Sequence, residues 1–287
     1  MVNIASGEIV NRGYLKEDFR YFHLKDKKNM DFHLHFHNFN KIIIFLSGTV
    51  TYLIEGKAYN LKPWDILFVS HNDVHKSIIS EEEPYERIII WINSDFLEMH
   101  NSTNSNLNTC FELSAKEKKH LLRLGLIKDN NIKNILFQLD AVISDDGFGN
   151  KILENSLFLQ LMVYLNRLYL NNDIKTENID IQEDERISKI LSYINENLSS
   201  DLSVDAISST FFINKYHLMH RFKKQTGYTL HNYIVQKRLI KANAFIIDGM
   251  QSTEACAECG FNDYSTFVRA YKKIFGASPK NFISNLK

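Results

Sequence analysis

Residues 260–282 read GFNDYSTFVRAYKKIFGASPKNF. Gly260 can take a positive φ, and Asn262 and Asp263 can cap a following helix, so the stretch predicts a sharp turn that hands the chain into a helix beginning at Tyr264. Along that helix Phe267, Ala270, Tyr271 and Ile274 recur at helical spacing and are expected to face a core. Tyr264, Ser265, Val268, Arg269 and Lys272 fall on the other side, where a tyrosine, an arginine and a lysine suit groove and phosphate contacts. Gly276 is expected to stop the helix and Pro279 to bar its resumption.

The same grammar occurs about fifty residues earlier. Asn214 precedes KYHLMHRFKKQTG, in which Leu218, Arg221 and Phe222 repeat the spacing of Phe267, Ala270 and Tyr271. Phe222-Lys223-Lys224 answers Tyr271-Lys272-Lys273, and Gly227 answers Gly276. Two such units in tandem resemble the DNA-binding domain of the AraC/XylS family of bacterial transcription regulators, over roughly the last hundred residues. The resemblance turns Tyr216, Met219 and His220 of the first recognition helix towards base edges, with Lys215 and Lys223 or Lys224 near phosphates. In the second it presents Tyr264, Ser265, Val268, Arg269 and Lys272. Arg269 is the strongest single reader, because a guanidinium can hold guanine O6 and N7 together. Methionine offers only apolar contact, for instance with a thymine methyl, and histidine a single directional bond.

The charge distribution points the same way. The chain of 287 residues has zero formal net charge, yet from Arg186 onward it carries 14 Lys and Arg against 7 Asp and Glu, a net of +7 that leaves −7 for the remainder. The excess lies in or beside the two units, at Lys215, Arg221, Lys223, Lys224, Lys237, Arg238, Arg269, Lys272 and Lys273, as a nucleic-acid-binding half requires. Length allows two domains, each with its own core. A hydrophobic content of 44% with 24% charged residues is that of an ordinary globular chain, and no apolar run is long enough to span a bilayer. The first residues, MVNIASGEIVNRG, have neither a basic n-region nor an apolar h-region, which predicts no signal peptide and a cytoplasmic protein without a membrane partner. Three cysteines cannot form a disulfide framework, in keeping with a reducing compartment.

From residue 32 to residue 93 the text is strand-like. Residues 32–37, FHLHFH, alternate strictly and predict a strand with His33, His35 and His37 on one face. Runs at 42–46, 50–54, 66–69 and 88–92, broken by turns at Ser47-Gly48 and Glu55-Gly56-Lys57, predict a small β-barrel or sandwich. These residues also resemble the two cupin motifs: His35-x-His37, Lys41 and Gly48, then Gly56, Pro63, Asp65 and His75. Lys41 stands where metal-binding cupins have a glutamate ligand, and Trp64 where they have a glycine. A protonated lysine repels a divalent metal and offers no lone pair, so no metal and no cofactor are expected. The resemblance implies an effector-sensing barrel with His35, His37, Lys41 and His75 in its pocket. Donors without much negative charge suit a sugar or carboxylate.

Beyond the strands, Ser114-x-x-Glu117 reads as a capping box opening a helix towards Lys128. Residues 132–143 and 151–170 are periodic. The second places Leu153, Leu157, Leu161, Tyr164, Leu165 and Leu168 on one stripe, which either packs on the barrel or, as the resemblance implies, partly pairs two subunits. Residues 171–185 are polar and acidic and read as a linker. After it come a first helix with Ile187, Ile190, Leu191 and Ile194, a second capped by Ser203, and a long one over 230–247 joining the two units through Ile234, Arg238, Ala242 and Phe245. Cys256-x-x-Cys259 lacks a second pair or a metal-spaced histidine and reads as two small buried hydrophobes.

The sequence therefore predicts an α+β two-domain protein. Residues 1–175 form a cupin-like sensing and dimerisation domain, 176–185 a linker, and 186–287 an all-α tandem helix-turn-helix domain. The expected partners are double-stranded DNA, a small-molecule effector, a second copy of the chain and RNA polymerase, and no catalytic step is expected. Two alternatives stand beside this one: a cupin enzyme with iron, manganese or zinc on His35, His37 and His75, and a DNA-binding regulator whose barrel is only structural.

Overall fold

The computed structural model describes residues 15, 17–26, 37, 39–71, 73–80, 83–123, 130–171, 181–182 and 184–286. The chain divides into two compact units, one ending at Gln182 and the other running from Glu183 to Lys287.

The first unit is built on two antiparallel sheets. One has the order β1-β7-β2-β5-β8, with β1 Phe19–Asp26, β2 Asn40–Ser47, β5 Asp65–Val69, β7 Tyr85–Ile92 and β8 Leu121–Arg123. The other has the order β6-β3-β4-β9, with β3 Val50–Ile54, β4 Lys57–Asn60, β6 His75–Ile79 and β9 Ile181–Gln182. Strand β2 explains the arrangement. Its residues Ile42, Ile43, Ile44 and Phe45 are all buried, because the strand has a core on each face. Ile43 and Phe45 join Leu67 and Val69 of their own sheet and Tyr52, Ile54 and Tyr59 of the other to fill the space between the sheets. Ile42 and Ile44 join Ile66, Phe68, Ile88, Ile90 and Ile92 on the opposite face, under the helices. The hairpin between β3 and β4 turns at Glu55 and Gly56, both at positive φ (45° and 83°), as a tight two-residue turn requires.

Helices α1 Ser94–Met99, α2 Thr109–Glu117, α3 Asn131–Val142 and α4 Asn150–Leu170 cover that second face. Leu157, Leu161 and Leu165 of the expected stripe are buried there and Tyr164 and Leu168 pack against the cluster, so most of the stripe serves the chain's own core. Leu153, beside Ile152, stays exposed. His23 on β1 reaches Asp140 of α3 through Nδ1 at 3.2 Å and Glu86 of β7 through Nε2 at 3.2 Å, tying the edge strand to the helix layer.

Two expectations about this unit need correction, and a third falls outside the described residues. Ser114 does not open a helix: it lies inside α2, buried, with its hydroxyl donating to Phe111 O at 2.9 Å, and the helix ends at Lys118, which adopts φ 53°. The apolar residues that fix α2, Cys110 and Phe111, precede the capping-box pattern, and the chain beyond Lys118 enters strand β8 instead of continuing as a helix. Part of the expected linker is strand β9, whose Ile181 and Gln182 pair with Tyr59 and Ala58. The strand expected over 32–37 lies outside the described residues except for His37.

The second unit is all helical: α5 Glu185–Glu196, α6 Val204–Thr210, α7 Lys215–Thr226, α8 Leu230–Ile247, α9 Ser252–Glu258, α10 Tyr264–Phe275 and α11 Pro279–Leu286. The apolar side of α5, with Ile187, Ile190, Leu191 and Ile194, is buried as its spacing predicts. Pro279 departs from expectation. It occupies the first turn of α11, where a missing N–H costs nothing, and Ser278 precedes it with its carbonyl accepting from Phe282 N at 2.9 Å. Ile274 is 39% exposed and Phe275 takes the core position instead, its ring tilted against Tyr271 and edge-on to Phe282 of α11.

Candidate nucleic-acid interface and barrel pocket

Each recognition helix is set by the same three devices. Asn214 caps α7 through an Oδ1 that accepts from Tyr216 N at 2.9 Å, and Asp263 caps α10 by accepting from Thr266 N at 2.6 Å. Hydrogen bonds from Thr266 hold the Asp263 carboxyl below the usual carboxylate range. Gly227 and Gly276, both at φ 77°, end the two helices. Leu218 and Phe222 anchor α7, and Phe267 and Tyr271 anchor α10, where Tyr271 Oη donates to Asn243 Oδ1 of α8 at 2.5 Å.

The opposite faces are open. Lys215, Tyr216, Met219, His220, Lys223 and Lys224 on α7 are exposed, as are Tyr264, Ser265, Arg269 and Lys272 on α10, while Val268 is half-buried. Lys215 and Arg221 are paired with carboxylates within the unit. The Lys215 ammonium pairs with Asp205 of α6. Arg221 grips Asp184 through Nε at 2.9 Å and Nη2 at 2.6 Å, while the same carboxylate caps α5 by accepting from Arg186 N at 3.1 Å. Arg269 lies along its own helix, with Nη2 3.2 Å from Thr266 Oγ1, and Tyr264 Oη meets Ser252 Oγ at 2.8 Å.

Arg238 on α8 ties the two helix-turn-helix units together. Its Nε donates to Leu198 O and its Nη2 to Ser200 O, both at 2.8 Å, which fixes the turn between α5 and α6. Gly260 packs on the same spot: a Cβ there would lie 2.6 Å from Leu198 O and 2.9 Å from Arg238 Nη2. The spacing of Arg238 indicated contact with both units; its use as a donor to backbone carbonyls left no signal in the sequence. Burial raises the thiol of Cys259 to about 11, and it raises that of Cys256 as well. Both are buried free thiols, protonated at neutral pH.

In the first unit His37, Lys41 and His75 come together between the sheets, all of them buried. Lys41 sits between Trp91 on one neighbouring strand and Val69 on the other. His75 Nδ1 donates to Asp73 O at 2.9 Å, which makes Nε2 the lone-pair nitrogen, and the Lys41 ammonium approaches that nitrogen at 3.3 Å. The His37 ring stacks on Phe39 at 4.4 Å and lies 5.3 Å from the ring of His75. Tyr52 and Trp91 lie beside the cluster, 6.2 Å from His75 and 6.1 Å from His37 between ring centroids. Both were missed, because periodicity marks them as core and says nothing of what they face. His35 lies outside the described residues.

This donor set does not fit a cupin metal centre. The imidazole nitrogen that would bind the ion is already an acceptor for an ammonium group, and a cation within 3.3 Å of a ligand repels a divalent metal. The other motif residues are structural. Asp65 is fully buried, accepts from Arg123 Nε and Nη2, each at 3.0 Å, and accepts from Lys62 N at 2.8 Å. Trp64, in the glycine position, holds φ 71°, with Lys133 of α3 over its ring at 4.5 Å and Phe137 against its edge. The turn keeps the left-handed backbone that favours glycine, and contacts with α3 hold the tryptophan in it.

Two family models match the chain, one in each unit. Residues 21–162 match the profile of the AraC-like ligand binding domain, and residues 207–285 match a helix-turn-helix domain. The HTH-type transcriptional activator RhaS of Escherichia coli (strain K12 / DH10B) is 22% identical over 252 residues, 88% of this chain and 87% of that protein. ToxT from Vibrio cholerae, a solved structure, aligns over 93% of this chain and 98% of its own at 15% identity with a TM-score of 0.36. With both family models matched, and two helices in the second unit capped and stopped alike, the chain belongs to the AraC family of DNA-binding transcription regulators.

Proposed function

We propose that α7 and α10 enter successive major-groove faces on one side of the duplex, about 34 Å apart, and that a small molecule in the barrel controls how they are presented to DNA. The observation that carries this reading is the pair of matched caps and stops around two helices whose outward faces bear the basic residues. Met219, His220 and Tyr216 of α7, with Tyr264, Ser265, Val268 and Arg269 of α10, read bases; Lys215, Lys223, Lys224 and Lys272 touch phosphates. Lys215 and Arg269 exchange their internal partners for DNA on binding.

His37, Lys41 and His75 support an effector that carries an anionic or hydroxyl-rich group, with Trp91 and Tyr52 offering aromatic faces beside them; His35 joins this set on the cupin resemblance of its sequence alone. A sugar or a carboxylate fits, and neither metal nor catalysis is called for. The exposed Ile152 and Leu153 at the start of α4 support pairing of two copies. Such a dimer works in the cytoplasm, with RNA polymerase as the partner that reads the outcome. Domains divide at the segment before Asp184, with 186–287 able to bind DNA alone.

The experiment is selection of duplexes from random DNA by the full chain, with and without a panel of sugars and carboxylates, followed by binding to the selected site over a range of salt. The expected result is one preferred site, steep weakening with salt, and an affinity that moves with one of the ligands. Salt-independent or sequence-blind binding overturns the proposal.

A further inference from the structure

Phe212, in the turn between α6 and α7, is 94% exposed and adopts φ 49°. Its place in the second unit is held by Gly260 at φ 78°, as the hydrogen bonds show: Ile213 N donates to Ser208 O at 3.0 Å as Phe261 N donates to Cys256 O at 3.1 Å. A phenylalanine therefore occupies a left-handed position that glycine takes freely and a bulky L residue resists, and its ring gains almost no burial there. Neither backbone preference nor packing within the unit accounts for the side chain, which points to contact with something outside it.

The surroundings of Phe212 identify the contact. It stands two residues before the cap of α7, at the end of a recognition helix that reaches base edges. The next exposed large apolar or aromatic residues are Tyr216, 73% exposed, and Met219, 45% exposed, three positions apart and so on one side of the helix. The one arginine of α7, Arg221, is held by Asp184, so this face offers no guanidinium for guanine. An apolar and aromatic tip entering the major groove meets one apolar base feature there, the 5-methyl group of thymine.

We infer that the first helix-turn-helix unit selects thymine through methyl contacts from Phe212 and Met219, flanked by Tyr216, while the second unit, with Arg269, selects guanine. This rests on the proposed docking of α7 in the major groove and adds Phe212, a turn residue, to its readers. The preferred site is thus asymmetric, T-rich under α7 and containing a guanine under α10.

The test uses the full chain and its selected site, with each thymine replaced in turn by deoxyuridine, which removes the methyl and keeps the base pairing. For the unaltered protein at least one replacement in the α7 half is expected to weaken binding about fourfold, the worth of one buried methyl. Phe212→Gly, which suits the backbone, is expected to bind the site more weakly and to lose that sensitivity, with affinity for random DNA unchanged. Uniform indifference of the unaltered protein to deoxyuridine overturns the inference, and so does a Phe212→Gly variant as methyl-sensitive as the parent. If that variant keeps both affinity and methyl sensitivity but loses transcriptional output, Phe212 contacts a protein and the inference is again overturned. A parent protein that shows no preferred site at all instead removes the docking on which the inference rests.

Discussion

The ammonium of Lys41 lies 3.3 Å from Nε2 of His75, a nitrogen left as acceptor because Nδ1 of the same ring donates to Asp73 O. The position that supplies a carboxylate to a metal in cupins here supplies a buried positive charge. Lys41→Ala is expected to lower affinity for an anionic or hydroxyl-rich effector about 10- to 100-fold, the worth of a hydrogen bond to a charged group, while DNA binding in the absence of ligand is unchanged. Ligand-induced shifts in melting temperature and a DNA-binding assay on the same protein check both halves. An unchanged ligand response in the variant rules out this pocket.

Gly260 is closed to any side chain. A Cβ would lie 2.6 Å from Leu198 O, a backbone atom that cannot swing aside, and φ is 78°. Gly260→Ala is expected to destabilise the DNA-binding unit by at least about 1 kcal/mol from the left-handed conformation alone, with the clash adding to it. For a unit of this size that amounts to a melting shift of about 4–8 °C downward. Arg238→Ala, which frees the same carbonyls, should act in the same direction. Thermal unfolding followed by circular dichroism checks both.

Legibility in the sequence followed how local the determining physics is. Asn214, Asp263, Gly227 and Gly276 cap or stop helices through atoms a few residues away, and a reader of spacing finds them. Strand β9 and the pair of Asp65 with Arg123, 58 residues apart, depend on where distant segments arrive, which periodicity does not encode. The capping-box pattern at Ser114 misled because Cys110 and Phe111, four and three residues earlier, had already committed the chain to α2. Ile274 and Phe275 are adjacent apolar residues, and packing of α11 under Pro279 chose between them. In the first unit the histidine pattern pointed to His37 and the motif to Lys41 and His75, which do lie together, whereas Trp91 and Tyr52 beside them were hidden among other core residues.

Asp65 and Arg123 form a buried, two-pronged pair. Removing one partner strands a charge in the core, so Arg123→Ala is expected to cost about 3–5 kcal/mol. Replacing both by leucine is expected to cost much less, because no charge is then left unpaired. Denaturant unfolding of the two single variants and the double one gives the coupling directly. Additive losses would show that the pair contributes little beyond its separate contacts.

Cys256 and Cys259 are expected to resist a thiol reagent at pH 7 until the protein unfolds, since both are buried and their ionisation is pushed up by burial. The Cys259 thiol titrates at about 11 in the folded protein against an ordinary 9.0, so folding favours its neutral form. That contribution is fully present below pH 9 and fades as pH rises towards about 11, where the unfolded chain has already ionised. Cys259→Ala should flatten this part of the stability profile. Rapid labelling of the folded protein at pH 7 would instead argue for a reactive pair.

Arg269 and Lys224 separate reading from positioning. The Arg269 guanidinium is exposed on α10 and its hydrogen bonds to Ser265 O at 3.4 Å and Thr266 Oγ1 at 3.2 Å are long and local, easily exchanged for a base edge. A bidentate hold on guanine is worth about 1–3 kcal/mol of discrimination, so Arg269→Ala should lose that much on the preferred site and relax preference at one base pair. Lys224 lies near the C-terminal end of α7, away from the capped end proposed to enter the groove, and is exposed. Lys224→Ala should weaken preferred and random DNA alike and lower the salt slope by about one. Binding of both variants to the preferred site, to a site changed at one guanine and to random duplex, each over a range of salt, distinguishes the two roles. Equal losses on all three duplexes for Arg269→Ala would place that guanidinium on a phosphate and leave the second helix without its guanine reader.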